Sequence, residues 1–467
     1  MTSSRFHPPR RADLRATVRL ALPIVVVQVG LQAMGVVDTM MVGRLSAAAL
    51  AAVALGNLYF MAPAIFGQGL LMALDPVVAQ AVGAKDDVAI SRALQRGSIL
   101  ALLAALLLTV VLLPVRPVLT LLRQPADVVP MASAYVLVSI LGALPFLGFV
   151  VVRQTLQAMH HTSAIVWAIV AANLANAGLN WVLIFGHLGA PPMGPVGSAW
   201  ASAAARWLMF LLLVVLGRRE LHGHVLPLRR DALDRTAFVR MVRLGLPIGT
   251  TMLLEYAAFG AVALLMGLLG TAAMAGHQVA LSLASLTFMV PLGIAGAGAV
   301  LVGHSIGRGD PDGARRAAAA SLICGAAFML LSALLFLSAP GFLARLYTDQ
   351  PTVLAVAVAL IPIAGIFQVF DGLQVVGAGV LRGVGDTRAP LVVNLLGFWL
   401  VGMPISVYFG FRTPAGPRGL WWGLVAGLAA VAIFLLLRIR HRLGRELRRL
   451  VIDEDHAHGG VEEWETG

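Results

Sequence analysis

Apolar residues come in long runs along this chain, and charges gather in the breaks between them. Runs of about twenty residues recur twelve times, near 20–41, 50–74, 97–115, 132–152, 164–186, 197–216, 244–268, 279–303, 317–338, 353–380, 389–410 and 418–437. Each is long enough to cross a hydrocarbon layer of about 30 Å as a helix. The breaks carry turn formers and charge, as in GAKDD, RRELHGHVLPLRRDALDR, GRGDPDGARR and RGVGDTR. The pattern predicts an all-α integral membrane protein with twelve transmembrane helices.

Composition agrees. The 467 residues are 59% hydrophobic and 12% charged, with a mean hydropathy of +0.88. A soluble domain carries about 25% charge. One cysteine, Cys324, excludes a disulfide framework within the chain. The first run is too long for the core of a cleavable signal peptide and reads as a first membrane helix. The net charge of +12 is explained by topology rather than nucleic acid. With the N-terminus placed in the cytoplasm, about 26 of the 34 Lys and Arg fall on that side and about 6 on the other, so both termini are expected inside a cytoplasmic membrane. The basic runs read as a solvated topogenic face rather than a lipid-headgroup site. The tail VIDEDHAHGGVEEWETG reads as disordered.

The chain also repeats itself at an offset near 224 residues. VRLALP (18–23) recurs as VRLGLP (242–247), VAQAVGAKD (78–86) aligns with VGHSIGRGD (302–310), and GPVGSAW (194–200) matches GPRGLWW (416–422). The offset spans six helices, an even number, so the halves share one orientation and are related by an axis along the membrane normal. The expected organisation is a cytoplasmic segment 1–19, an N-lobe 20–216, a cytoplasmic linker 217–243, a C-lobe 244–437 and a basic tail 438–467. Two such lobes usually enclose a substrate cavity and rock against each other. The chain shows no HExxH, no GxSxG and no clustered Cys/His spacing, so a membrane enzyme is disfavoured. His160 and His161 read as solvated loop residues. A channel would not need a duplication with acids placed differently in each half.

Four acids lie inside apolar runs: Asp38, Asp75, Glu255 and Asp371. An acid at the centre of a membrane helix costs about 3 kcal/mol on insertion scales, which marks it as a functional candidate. Glu255 lies 12 residues after Arg243, and Asp371 lies 11 before Arg382, so both sit at similar depth in the C-lobe. Two carboxylates at one depth suit a shared hard cation or a proton. Asp38 lies six residues before Arg44, in the outer half of the first helix. Asn176 and Asn180, four apart on one helix face, sit at comparable depth. Asp75 precedes Pro76 and either serves function or bonds backbone groups that the proline frees. Arg206 either pairs with an acid or snorkels. Tyr256, Met252, Phe259, Phe288 and Met289 are candidates for an aromatic, soft drug pocket, with lipid-facing or core packing as the alternative, and Gln278 is a further possible site residue.

Three stretches carry a family likeness. DTMMVGRLSAAALAAVAL (38–55), AGHQVALSLASLTFMVPLGIAGAGAVLVGHSIGRGD (275–310) and VLRGVGDTRAP (380–390) resemble motifs of the multidrug and toxic compound extrusion (MATE) family, especially its NorM-like branch, with similarity over about residues 15–440. The resemblance implies a V-shaped pair of six-helix bundles that exports cationic amphipathic drugs in exchange for Na+ or H+. It places the family's cation-site acids on Glu255 and Asp371 and its N-lobe acid on Asp38. The helix 5 pair, often Asn and Asp in the family, is Asn176 and Asn180 here, which removes one N-lobe carboxylate and favours the NorM-like reading. Asp75 followed by proline departs from the commoner Asp-Thr form. The expected coupling ion is Na+ at Glu255 and Asp371, with H+ as the alternative. No further cofactor and no nucleic acid are expected; the partners are small organic cations and membrane lipid, and the chain is expected to be a monomer. A lipid-linked oligosaccharide flippase of the same superfamily is the other transport reading; it would need several basic residues in its cavity, whereas the intramembrane charges here are mainly acidic.

Overall fold

The twelve runs form twelve long helices: α1 (Arg11–Val42), α2 (Ala47–Gly83), α3 (Asp87–Leu112), α4 (Val128–Ala158), α5 (Thr162–Phe185), α6 (Gly194–Leu216), α7 (Arg235–Leu268), α8 (Thr271–Gly307), α9 (Pro311–Ser338), α10 (Pro351–Val384), α11 (Arg388–Phe411) and α12 (Pro417–Leu443). The structure, a computed structural model, describes residues 8–453 and has no strand among them. Several helices begin at a polar cap beyond their apolar run. Asp86 starts α3 by accepting from the Ala89 amide at 2.9 Å, and Asp310 starts α9 by accepting from the Gly313 amide at 2.7 Å. These two aspartates end the repeated stretch found in the sequence. Their dihedrals nearly coincide, at φ −103°, ψ 85° and φ −106°, ψ 85°. The residue before each is left-handed: Lys85 at φ 57° and Gly309 at φ 70°. The duplication thus reproduces the turn as well as the letters.

Two helices are locally irregular. In α2 the α-helix stops at Leu71 and restarts at Leu74. Pro76 has no N–H and its ring crowds the carbonyl four residues back, at Met72, which accounts for the break. In α11 the stretch Leu395–Gly402 is a π-helix, a wider coil that recurs at functional sites.

Helices α1–α6 and α7–α12 each build an apolar interior, the second including Phe336, Phe367 and the fully buried Trp421, and a smaller cluster joins α1 to α8 and α10 across the lobes. Large apolar side chains such as Leu106, Leu331 and Leu400 stay exposed on the outside, as a lipid-facing surface requires. The lobes approach each other between mid-depth and the end that carries the linker and both termini. Here α2 crosses α8 with near two-fold correspondence. A Cβ on Gly83 would collide with the His304 carbonyl, and one on Gly307 would collide with the Gln80 carbonyl. Only glycine permits these crossings. Gln80 and His304 occupy equivalent repeat positions, and each reaches into the opposite lobe. Gln80 Nε2 donates to the Gly383 carbonyl at 3.0 Å, and His304 Nε2 bonds the Ala158 carbonyl at 2.8 Å.

His160 lies in a turn and is exposed, as a loop residue should be, but its ring also reaches the seam, with Nε2 at 3.2 Å from His304 Nδ1. Burial, then the neighbouring His161 and Arg308, hold its pKa below the ordinary value of 6.5. His161 itself is exposed, 3.4 Å from Glu220.

The linker contains a short helix, Arg218–Val225, and a turn at Arg230–Leu233. Gln95 of α3 holds it, donating to the carbonyls of His224, Val225 and Pro227. Beyond α12, residues 446–453 are irregular and cross the terminus-bearing face. The tail expected to be disordered begins at 451; residues 451–453 are placed against the protein, and 454–467 lie outside the described residues.

Candidate functional site

Polar groups gather at three places in the membrane-spanning part. The first is in the N-lobe and brings together Asp38, Asn176 and Asn180. Asp38 is buried on α1. Its Oδ1 accepts from Asn180 Nδ2 at 2.6 Å, and its Oδ2 accepts from Ser202 Oγ at 2.5 Å. Asn180 Nδ2 also reaches Asn176 Oδ1 at 3.2 Å, and Asn176 Nδ2 lies 3.4 Å from Ser202 Oγ. Three helices, α1, α5 and α6, therefore converge on one carboxylate. Arg206 lies one turn beyond Ser202 on α6. It does not snorkel: its guanidinium is 4.6 Å from the centre of the Phe60 ring and 5.9 Å from that of Phe146. Such stacking stabilises a desolvated cation, and Asp38 lies within electrostatic reach.

The second cluster lies in the C-lobe. Glu255 of α7 accepts through Oε1 from Gln374 Nε2 at 2.5 Å. Gln374 Nε2 is also 3.3 Å from Asn394 Oδ1, and Asn394 Nδ2 donates to the Pro390 carbonyl at 2.9 Å. Asp371 is buried three residues before Gln374 on α10, hence on the same helix face. It lies close enough to Glu255 for the two carboxylates to repel. Asn394 immediately precedes the π-helical stretch of α11. The cluster offers carboxylate and amide oxygens, a hard donor set of the kind that takes Na+ or a proton. Among the described residues no group of three or more His, Cys, Asp or Glu could hold a metal ion.

The third cluster spans the lobes. Asp75 of α2 lies 2.9 Å through Oδ2 from Arg382 Nε of α10. The proline-freed backbone is not its partner. The contact is an ion pair without the alignment of a hydrogen bond. Arg153 of α4 is buried nearby, its Nη1 3.5 Å from Gln28 Oε1.

Comparison with known proteins gives this arrangement a family. The MatE family model matches residues 23–182 and 247–408, once in each half. The probable multidrug resistance protein NorM of Rhizobium meliloti (strain 1021) is 38% identical over 438 residues, covering 92% of this chain and 94% of that one. The multidrug resistance protein PmpM of Pseudomonas aeruginosa is 35% identical over 446 residues, covering 94% of each. The chain belongs to the MatE family. Its fold is that of the MATE transporters: the crystal structure of the eukaryotic MATE transporter AtDTX14 superposes with a TM-score of 0.85 at 21% identity, covering 92% of this chain and 97% of the other. This MatE chain is therefore a multi-pass membrane protein.

Several candidates stand apart from the clusters. Tyr256 is half-buried beside Glu255 in sequence, but adjacent residues on a helix point in different directions. Gln278 is exposed on α8. Phe259 packs edge-on to Phe367 and Phe398, with ring centres 6.0 and 6.1 Å apart, in the C-lobe interior. Four polar partners escaped sequence reasoning: Ser202, Gln374, Asn394 and Arg382. Asn394 carried a readable signal, since it is an amide six residues into an apolar run. Ser202 sits in the small-residue run SAWASAAAR, where a serine looks like helix packing.

Proposed function

We propose that the protein is a cation-coupled antiporter that exports cationic amphipathic compounds across the cytoplasmic membrane by alternating access. In this reading both termini lie on the cytoplasmic side and the monomer suffices. The names of the relatives support drug export. The observation that carries the coupling is the proximity of Glu255 and Asp371, with Glu255 bonded by an amide rather than an arginine. An arginine partner would neutralise the site permanently. An amide satisfies one oxygen and leaves the charge available to a mobile cation.

Na+ is the assigned ion, with H+ as the alternative. Two acids placed together repel until something positive joins them, and a second acid beyond what one proton needs favours Na+. Ion binding in one state and drug binding in the other give the differential affinity that drives exchange. One charge crossing 100 mV contributes about 2.3 kcal/mol to that difference. The flippase reading is weaker. Of the arginines inside the membrane-spanning part, Arg382 is matched by Asp75, Arg206 rests on Phe60 and Phe146, and Arg153 lies against Gln28 and Phe149. The test is dye export from proteoliposomes with Na+ and pH gradients imposed separately. Export driven by Na+ alone supports the assignment. Full export on a pH gradient with none on Na+ makes the pair a proton site.

A further inference from the structure

The segment after α12 ties the two lobes together. It starts on the C-lobe: Arg315 of α9 donates from Nε to the Leu443 carbonyl at 2.9 Å, and Leu447 packs against the C-lobe interior. The Leu450 side chain rests on Gly385, whose φ of 85° and lack of a Cβ leave room for it. Arg240, at the base of α7, donates to the Ile452 carbonyl at 3.1 Å.

The same few residues then grip the N-lobe. Arg449 pairs with Asp86 at 2.7 Å, and the Leu450 amide donates to Gln80 Oε1 at 2.7 Å. Asp453 takes both Nη groups of Arg96, at 2.5 and 3.1 Å, with Arg92 at 3.7 Å. Arg96 is 1% exposed, so its charge has little water to fall back on. Removing one partner of a buried ion pair is costly, because the other charge is left uncompensated. Gln80 is the hub. Its Nε2 holds the Gly383 carbonyl across the seam while its Oε1 holds the segment. A cavity of about 220 Å³ lies under the crossing, lined by Val77, Arg92 and Arg96 on one side and Met241 on the other.

We propose that residues 446–453 form a latch that stabilises closure of the terminus-bearing face and must release Gln80, Asp86, Arg92 and Arg96 before that face opens. The segment is covalently joined to the C-lobe, so rocking the lobes apart pulls it off the N-lobe. The latch sets the population and rate of the inward-open state independently of what occupies the membrane sites. This inference rests on the alternating-access reading, but its test needs neither drug nor ion gradient.

The experiment reads opening directly. In a Cys324→Ala background, Met72→Cys places a smaller, sulfur-bearing side chain at the seam, where Arg382 approaches Met72 Sδ at 3.9 Å. A membrane-impermeant maleimide is applied to the terminus-bearing face of oriented vesicles. Two variants are compared with the intact chain: truncation after Gly444, and Asp453→Asn. Both are expected to raise the labelling rate by about threefold or more through a shift in population. Raising salt from about 50 to about 500 mM should accelerate labelling of the intact chain more than that of the truncated one, since only the former has the ion pairs of the segment, Arg449 with Asp86 and Asp453 with Arg92 and Arg96, to screen. Equal rates in all three proteins overturn the latch. If the truncated chain does not reach the membrane, Asp453→Asn decides alone. Failure of the transport reading shows separately, as absence of dye efflux from wild-type proteoliposomes.

Discussion

Asp38 and Glu255 are both acids set inside membrane helices of a duplicated chain, yet they are held in opposite ways. Asp38 is enclosed: an amide and a hydroxyl from two other helices occupy its two oxygens. Glu255 receives one amide and faces a second acid. The enclosed carboxylate is organised by the protein. The paired carboxylates keep an electrostatic demand that the protein leaves unmet. The repeat sharpens this contrast. An advance of 224 residues takes Asp38 to Val262 (38 + 224), and the reverse step takes Glu255 to Leu31 (255 − 224). The same step carries Gln80 to His304 and Asp86 to Asp310. Duplication has kept the seam and the turns while the two membrane sites diverged.

The largest effects are expected in the C-lobe. Glu255→Gln and Asp371→Asn should each reduce ion-driven dye efflux by about thirtyfold, and the double variant should be little worse, because neighbouring groups acting as a unit are not additive. Normal efflux from both single variants would break the comparison. Asp38→Asn comes next. It should insert normally, since it removes a charge from the membrane and can still offer one oxygen to Asn180. Efflux should fall by about tenfold, measured as drug resistance at matched expression, because the amide cannot take up or release a charge. Wild-type resistance would leave Asp38 a packing residue. Ser202→Ala should act more weakly, with about threefold lower efflux and a stability loss of about 1 kcal/mol, the scale of an interhelical hydrogen bond in a membrane. Thermal denaturation in detergent checks the second number.

A smaller effect separates the two symmetry-related seam contacts. Gln80 cannot titrate, whereas its counterpart His304 is bonded to His160, which can, with His304, His161 and Arg308 as its titratable or charged neighbours. Its pKa is lowered in the closed form, first by burial. The contribution to closure is therefore fully present above about pH 6.5 and is lost as pH falls below that value. In the Cys324→Ala background, seam labelling at Met72→Cys, divided by the labelling rate of a free thiol at the same pH, should rise about twofold between pH 7.5 and 5.5. His160→Asn should abolish the rise; asparagine suits the φ of 63° at that position. No effect at all is expected from Arg235→Gln at the start of α7. Unchanged equilibrium dye binding would keep this residue in its topological role, and a tenfold loss would remove it.

The membrane helices were legible in the sequence because burying twenty apolar residues in lipid leaves few alternatives. The acids were legible for the converse reason, since each breaks that rule. Depth along a helix even placed Asp38 level with Asn180. What depth cannot give is azimuth and neighbour. Glu255 and Gln374 are 119 residues apart, and Asp75 meets Arg382 from the other half of the chain. Such pairings follow from how the helices pack, which a single sequence does not print. Neutral partners were the least visible. A serine or glutamine in a membrane helix costs less than an acid, so neither Ser202 nor Gln374 stood out.

The tie between Arg96 and Asp453 also imposes an order on biosynthesis. The two residues are 357 positions apart. At about 5–20 residues per second, on the order of 20–70 s separate the emergence of the arginine from that of its partner. Through most of that interval the linker stands in. Arg92 bonds Asp231 Oδ2 through Nε at 2.6 Å, and Arg96 reaches the Asp231 and Ala232 carbonyls at 2.7 and 3.1 Å. The first half can thus shelter its cations as soon as the linker is made, while the second half is still being threaded into the bilayer. Closure across the seam then waits for residue 453 to emerge, so a nascent chain that stalls earlier enters the membrane without this cross-tie.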